Sequence, residues 1–142
     1  MQRDRFAVAR TWLISAERDV VVARLALEAE PALAAFHAQQ AAQKSLKAAA
    51  IAVTGDHART HSAGAIVSEL RRLDIAFDAG VEADARALDL YYLASRYPDA
   101  VADNDPGDVV PVEDAKRALD RCARVQRFAR QIVDELEATR DT

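Results

Sequence analysis

The stretch from Ala32 to Thr54 constrains the fold more than any other, because it reads as a helix with three faces rather than two. At about 100° per residue, Ala35, Ala42, Leu46, Ala49 and Val53 make an apolar stripe. Ala38, Ala41, Ser45, Ala48 and Ala52 make a second face of small side chains only, and His37, Gln40, Lys44 and Lys47 form the third. A surface helix needs one apolar stripe, so a second, nearly bare face means neighbours packed close on two sides. The sequence therefore places this helix at the centre of a bundle and leaves its polar stripe as the open side.

The rest of the chain supplies the neighbours. Phe6, Ala9, Leu13, Ala16, Val20, Ala23 and Leu27 recur at steps of three and four, which predicts a first helix from about Asp4 to Glu28. Trp12 lies one residue off that seam and reads as a boundary anchor or dimer contact rather than a platform for a base. Glu30-Pro31 breaks the pattern and Pro31 opens the central helix, which stops near Thr54-Gly55 because glycine suits a left-handed cap. A loop with His57 and His61 follows. Thr60 or Ser62 caps a third helix, Ala63 to about Arg72, buried through Ile66, Val67, Leu70 and Leu73. A fourth is expected from about Val81 to Ser95, with Val81, Ala85, Leu88 and Tyr92 on one side, stopped by Pro98. The polar loop Asp99 to Pro111 reads as the most mobile segment. Pro111, Glu113 and Asp114 suit the start of a last helix reaching about Ala138, with Ala118, Cys122, Val125, Ala129, Ile132 and Leu136 as its seam. The expected fold class is all-α, an up-and-down bundle of four to five helices in one domain, residues 1–142.

Composition limits the function classes. With 142 residues, 51% hydrophobic and four glycines, the chain is long enough to enclose a core. A formal net charge of -4 argues against a surface wholly committed to nucleic acid, so any polyanion site is local. Cys122 is alone, which rules out an intrachain disulfide and suits a reducing cytoplasm. No apolar run approaches the roughly 18 residues of a membrane span, and Met1 to Arg10 does not lead into a signal-peptide core. The chain is accordingly expected to be cytoplasmic, with no membrane partner. His57 and His61 are four apart, but no carboxylate, cysteine or third histidine supports them at metal-ligand spacing, so neither metal nor cofactor is expected.

Two further features bear on binding. Lys116, Arg117, Arg121, Arg124, Arg127 and Arg130 crowd the last helix, either as a phosphate-binding surface or, more simply, as a solvated face paired to acids of neighbouring helices. Lys44 and Lys47 share the stripe of His37 and Gln40, and Arg96 stands at a helix end fixed by Pro98, with Tyr97 beside it. These groups are expected to share one anion-binding surface.

The run Phe36-His37-Ala38-Gln39-Gln40-Ala41-Ala42-Gln43-Lys44-Ser45-Leu46-Lys47, followed by Arg59-Thr60-His61 and then Ser95-Arg96-Tyr97-Pro98-Asp99, resembles the HEPN domain family. The order and separation of the three segments span nearly the whole chain. The resemblance implies a compact helical bundle that commonly forms homodimers and often partners a minimal nucleotidyltransferase encoded beside it, in pairs treated as toxin and antitoxin. It also implies nucleotide or RNA binding through His37, Gln40, Lys44, Lys47, Arg59, His61, Arg96, Tyr97 and Asp99. Other members resemble metal-independent ribonucleases, whose motif is an arginine followed a few residues later by a histidine. Arg96 fits that arginine, but no histidine follows it, so the catalytic pair does not carry over. The readings that stand are a binding subunit, a ribonuclease with a rearranged site, and a plain helical interaction module.

Overall fold

The computed structural model describes residues 4–56, 58–92 and 110–140. The described elements are α1 (Arg5–Ala26), α2 (Pro31–Thr54), α3 (Ala63–Arg72), α4 (Ala79–Leu88) and α5 (Val112–Arg140), and no strand occurs among the described residues. His57, Arg96, Tyr97, Asp99 and most of the polar loop before Pro111 lie outside them.

Helix α2 is the centre of the bundle, as its three faces demand: it packs against α1, α3, α4 and α5. Ala35, Ala38, Ala41, Ala42, Ser45, Leu46, Ala48 and Ala49 are fully enclosed. Alanine and serine at these positions let neighbouring backbones approach closely. Leu46 and Ile51 fill the remaining volume, each burial contributing about 1.5–3 kcal/mol. Pro31 occupies the first turn, and Gly55 ends the helix at φ 86°, in the left-handed region, with its N–H on the Ile51 carbonyl at 2.8 Å.

Helix α1 runs antiparallel to α2, since Arg5 Nη1 donates to the Val53 carbonyl (3.2 Å) at one end while Asp19 meets His37 (2.9 Å) toward the other. Asp4 caps it by accepting from the Phe6 N–H. Its seam of Phe6, Ala9, Leu13, Ala16, Val20 and Ala23 is buried. Helix α5 returns along α1, held by Arg10 to Asp134 and Glu137, Arg130 to Glu17, and Arg140 to Asp4. Ser62 caps α3 through the Ala65 N–H. The fourth helix begins at Ala79, two residues before the expected Val81, because Asp78 caps it through the Gly80 N–H; it ends at Leu88, well short of the expected Ser95, with Asp89 at its C-cap because that carboxylate is drawn onto the start of α3. α5 extends to Arg140, a little past the expected Ala138.

Most of the arginine-rich face of α5 is paired within the molecule. Asp84, 5% exposed, accepts from Arg121 Nη1 (3.0 Å) and from Arg124 Nε (2.7 Å) and Nη2 (3.1 Å). Arg117 pairs with Asp114 and Lys116 with Glu113. These bonds favour the solvated, internally paired reading of that stripe.

Candidate functional site

The polar stripe of α2 meets α1 at Asp19. The imidazole Nδ1 of His37 lies 2.9 Å from Asp19 Oδ1, and the Lys44 ammonium lies 2.7 Å from Oδ2 while donating to Ser15 Oγ at 3.0 Å. Asp19 is mostly enclosed, and Oδ2 receives no well-angled hydrogen bond, so its contact with Lys44 is chiefly ionic. One carboxylate thus balances the lysine charge and orients the imidazole.

Lys47 departs from the expectation of an open stripe. It is 8% exposed, with its ammonium 5.5 Å from the centre of the Trp12 ring. The side chain turns onto the tryptophan because its methylene stem covers apolar surface. Burial, and secondarily the charge on Lys44, pulls its pKa below the usual lysine range. Among the described residues no carboxylate pairs with it. Trp12 itself is half-buried, at the boundary position that its offset from the seam suggested.

A second carboxylate organises the other half of the site. Asp89 accepts from Ser62 Oγ (2.8 Å), from the N–H groups of Ala63 (2.8 Å) and Gly64 (3.0 Å), and from Gln39 Nε2 (3.2 Å). It therefore closes the N-terminus of α3 from a distant part of the chain. Gln39 Nε2 also donates to the His61 carbonyl at 3.0 Å, and Gln40 Nε2 donates to Gln39 Oε1 at 2.7 Å. The Gln43 amide, oriented to satisfy both of its ends, donates to the His61 carbonyl (2.8 Å) and accepts from Lys47 (3.3 Å). The His61 ring stacks on Tyr92, centroids 5.1 Å apart at 11°, and Phe36 bridges Tyr92 (6.1 Å) to His37 (5.3 Å). A shallow groove of about 280 Å³ opens over Thr60, His61, Ser62, Asp89 and Tyr92.

Of the residues singled out from the sequence, His37, Gln40, Lys44, Lys47 and His61 are thus joined through shared partners. Arg59 is exposed and stands apart from that network. Asp19, Gln39, Gln43 and Asp89 were missed. Gln39 and Gln43, four apart on an alanine-rich helix, carried a readable signal, whereas Asp19 and Asp89 depend on helix register and a long-range contact. A larger cavity, about 960 Å³, lies away from this chemistry between Arg5, Phe6, Gly55 and Arg140, where both arginines are already engaged. No group of three or more metal-ligating side chains occurs among the described residues, and no described helix is long and apolar enough to cross a membrane.

The architecture defines a helical-bundle protein whose central helix presents a polar, partly cationic stripe. The HEPN domain family model matches residues 9–132, and the chain belongs to that family. A solved structure, TT1696 from Thermus thermophilus, is similar at 31% identity and TM-score 0.81, over 93% of this chain and 99% of that one. ST0689, described as an archaeal HEPN homologue, is similar at 27% identity and TM-score 0.73, over 88% and 97%. No curated protein matches the chain.

Proposed function

We propose that this HEPN-domain chain is a nucleotide- or RNA-binding subunit that works as a homodimer beside a minimal nucleotidyltransferase, in a pair of the toxin–antitoxin type. The carrying observation is the largely buried Lys47 side chain, whose ammonium has no carboxylate partner among the described residues and lies on the same side of α2 as Lys44. A buried cation without a counter-ion costs stability, and an incoming phosphate relieves that cost. His37, Gln40 and His61 are assigned to the same surface through the partners they share, and Arg59, Arg96, Tyr97 and Asp99 are assigned to it from the sequence. The His61–Tyr92 stack supports an aromatic edge for a base.

The test is titration of ATP and of a short RNA at two salt concentrations with wild type, Lys44→Ala, Lys47→Ala and Arg96→Ala. Affinity is expected to fall in each variant and with added salt. Unchanged affinity in all three folded variants overturns the site. Co-expression with the nucleotidyltransferase of the same genome, followed by size-exclusion chromatography, tests the partner; failure to co-elute overturns that part.

One observation favours a second reading, a metal-independent ribonuclease with a non-standard site. Asp19 at Nδ1 leaves His37 Nε2 as the nitrogen available to take a proton, the arrangement a general base requires. RNA cleavage that persists in EDTA and disappears in His37→Ala supports it; an inert wild type removes it.

A further inference from the structure

Helix α1 carries a second apolar face that nothing in the described chain covers. Ile14 (56% exposed), Val21 (55%) and Leu25 (80%) stand at steps of seven and four, opposite the buried seam. Val22 and Leu33 extend the patch toward α2. Single exposed apolar residues are ordinary, but a contiguous row of branched side chains along one helix marks an interaction surface. Arg18 on this face and Glu28 in the turn that follows α1 are both exposed, and both are without an ion pair among the described residues.

We propose that this face docks a second copy of the chain, α1 against α1 in antiparallel orientation, about a two-fold axis close to residue 23. The assignment rests on the homodimer of the proposed function and specifies its surface. The spacing singles out the occupant. An axis midway between positions 18 and 28 sets Arg18 against the partner's Glu28, and the same axis sets Val21 against the partner's Leu25. Charge pairing and apolar pairing thus select one register. Arg18 lies within α1 and Glu28 past its end, and no ion pair joins them within the described chain. A two-fold contact uses the same patch on both copies and needs this kind of self-complementarity.

The surface also adjoins the polar site. Val22 lies one helical turn beyond Asp19 on α1, and Leu33 one turn before His37 on α2, while Asp19 and His37 touch. Docking through this face brings both copies' Asp19, His37 and Lys44 clusters to a common seam.

Light scattering tests the assignment on the full chain, with circular dichroism as the folding control. Wild type is expected to be a dimer. Leu25→Asp, at a position too exposed to disturb the core, should raise the dimer dissociation constant about a hundredfold. Arg18→Glu and Glu28→Arg should each weaken the dimer, and the double variant should restore it. Mild oxidation of mixed Val21→Cys and Leu25→Cys chains should give the mixed disulfide, since the native Cys122 is buried. A Leu25→Asp protein that remains dimeric overturns this surface and leaves the dimeric reading intact. A monomeric wild type overturns both, while the nucleotide titrations still judge the binding site separately. A monomer whose association with the nucleotidyltransferase is lost in Leu25→Asp reassigns the face to that partner and overturns the second copy.

Discussion

Asp19 on α1 holds the Lys44 ammonium of α2 at 2.7 Å, so the cation that the sequence displays most openly is neutralised by a residue 25 positions earlier. The pair is largely withdrawn from solvent, where its attraction is less screened than that of a surface ion pair. It fixes the register of α1 on α2 and sets how much positive charge the stripe presents.

Asp19→Asn should therefore have two opposite effects. The fold loses about 1–2 kcal/mol with the ionic contact and the His37 bond, read as a lower thermal midpoint. Affinity for ATP or RNA rises, because Lys44 is released to meet phosphate. Weaker binding in a folded Asp19→Asn protein would show that Asp19 orients the site more than it restrains it.

Asp89 predicts a structural defect at a distance. Removing it strips the Ala63 and Gly64 N–H groups, Ser62 Oγ and Gln39 of one shared acceptor. Asp89→Ala should cost about 2–4 kcal/mol and loosen the start of α3, seen as faster amide exchange at Ala63 and Gly64. Exchange unchanged there would mean that Ser62 alone sustains the cap.

The helices were legible because each periodic seam recurs at three and four and is punctuated by Pro31, Gly55 or Ser62. The centrality of α2 was legible too, from its bare alanine face. The site was only half legible. A sequence shows which cations share a stripe, but not that Asp19 faces Lys44, since that depends on the register of two antiparallel helices. The burial of Lys47 escaped for a related reason: its stem lies on Trp12, and only the packed pair reveals the cover. Asp89 escaped because its partners at Ser62, Ala63 and Gly64 are distant in sequence.

Cys122 should be chemically silent in the folded state. It is 1% exposed, and burial, reinforced by the charges of Asp19 and Glu17, pushes its thiol up to about 12 from an ordinary 9.0. Thiolate is the reactive form, so a disulfide reagent at pH 8 should label it only at the rate of global or local opening. The sign of the linkage follows: between pH 9 and 12 the unfolded chain releases this proton while the folded chain retains it, so stability falls as pH rises. Cys122→Ser should weaken that alkaline decline. An identical slope in the variant would assign the decline to other groups.

Lys47→Met separates stability from binding. The folded state disfavours the charged amine, first through burial and then through Lys44, so its pKa falls below the ordinary 10.5. Between the folded and unfolded values the unfolded chain binds the extra proton, and this group's contribution to stability rises with pH. At neutral pH it is a standing cost, offset in part by the contact with Trp12, worth about 0.5–1 kcal/mol. Methionine keeps the stem's packing and removes the charge. The thermal midpoint at pH 7 should therefore stay level or rise, and the difference from wild type should shrink toward pH 10. Affinity for ATP and RNA should fall at the same time, since the ammonium that phosphate would meet is gone. A clear loss of stability at pH 7 would show that the ammonium is held by favourable contacts beyond Trp12 and Gln43, and would remove the physical basis for an anion at this position.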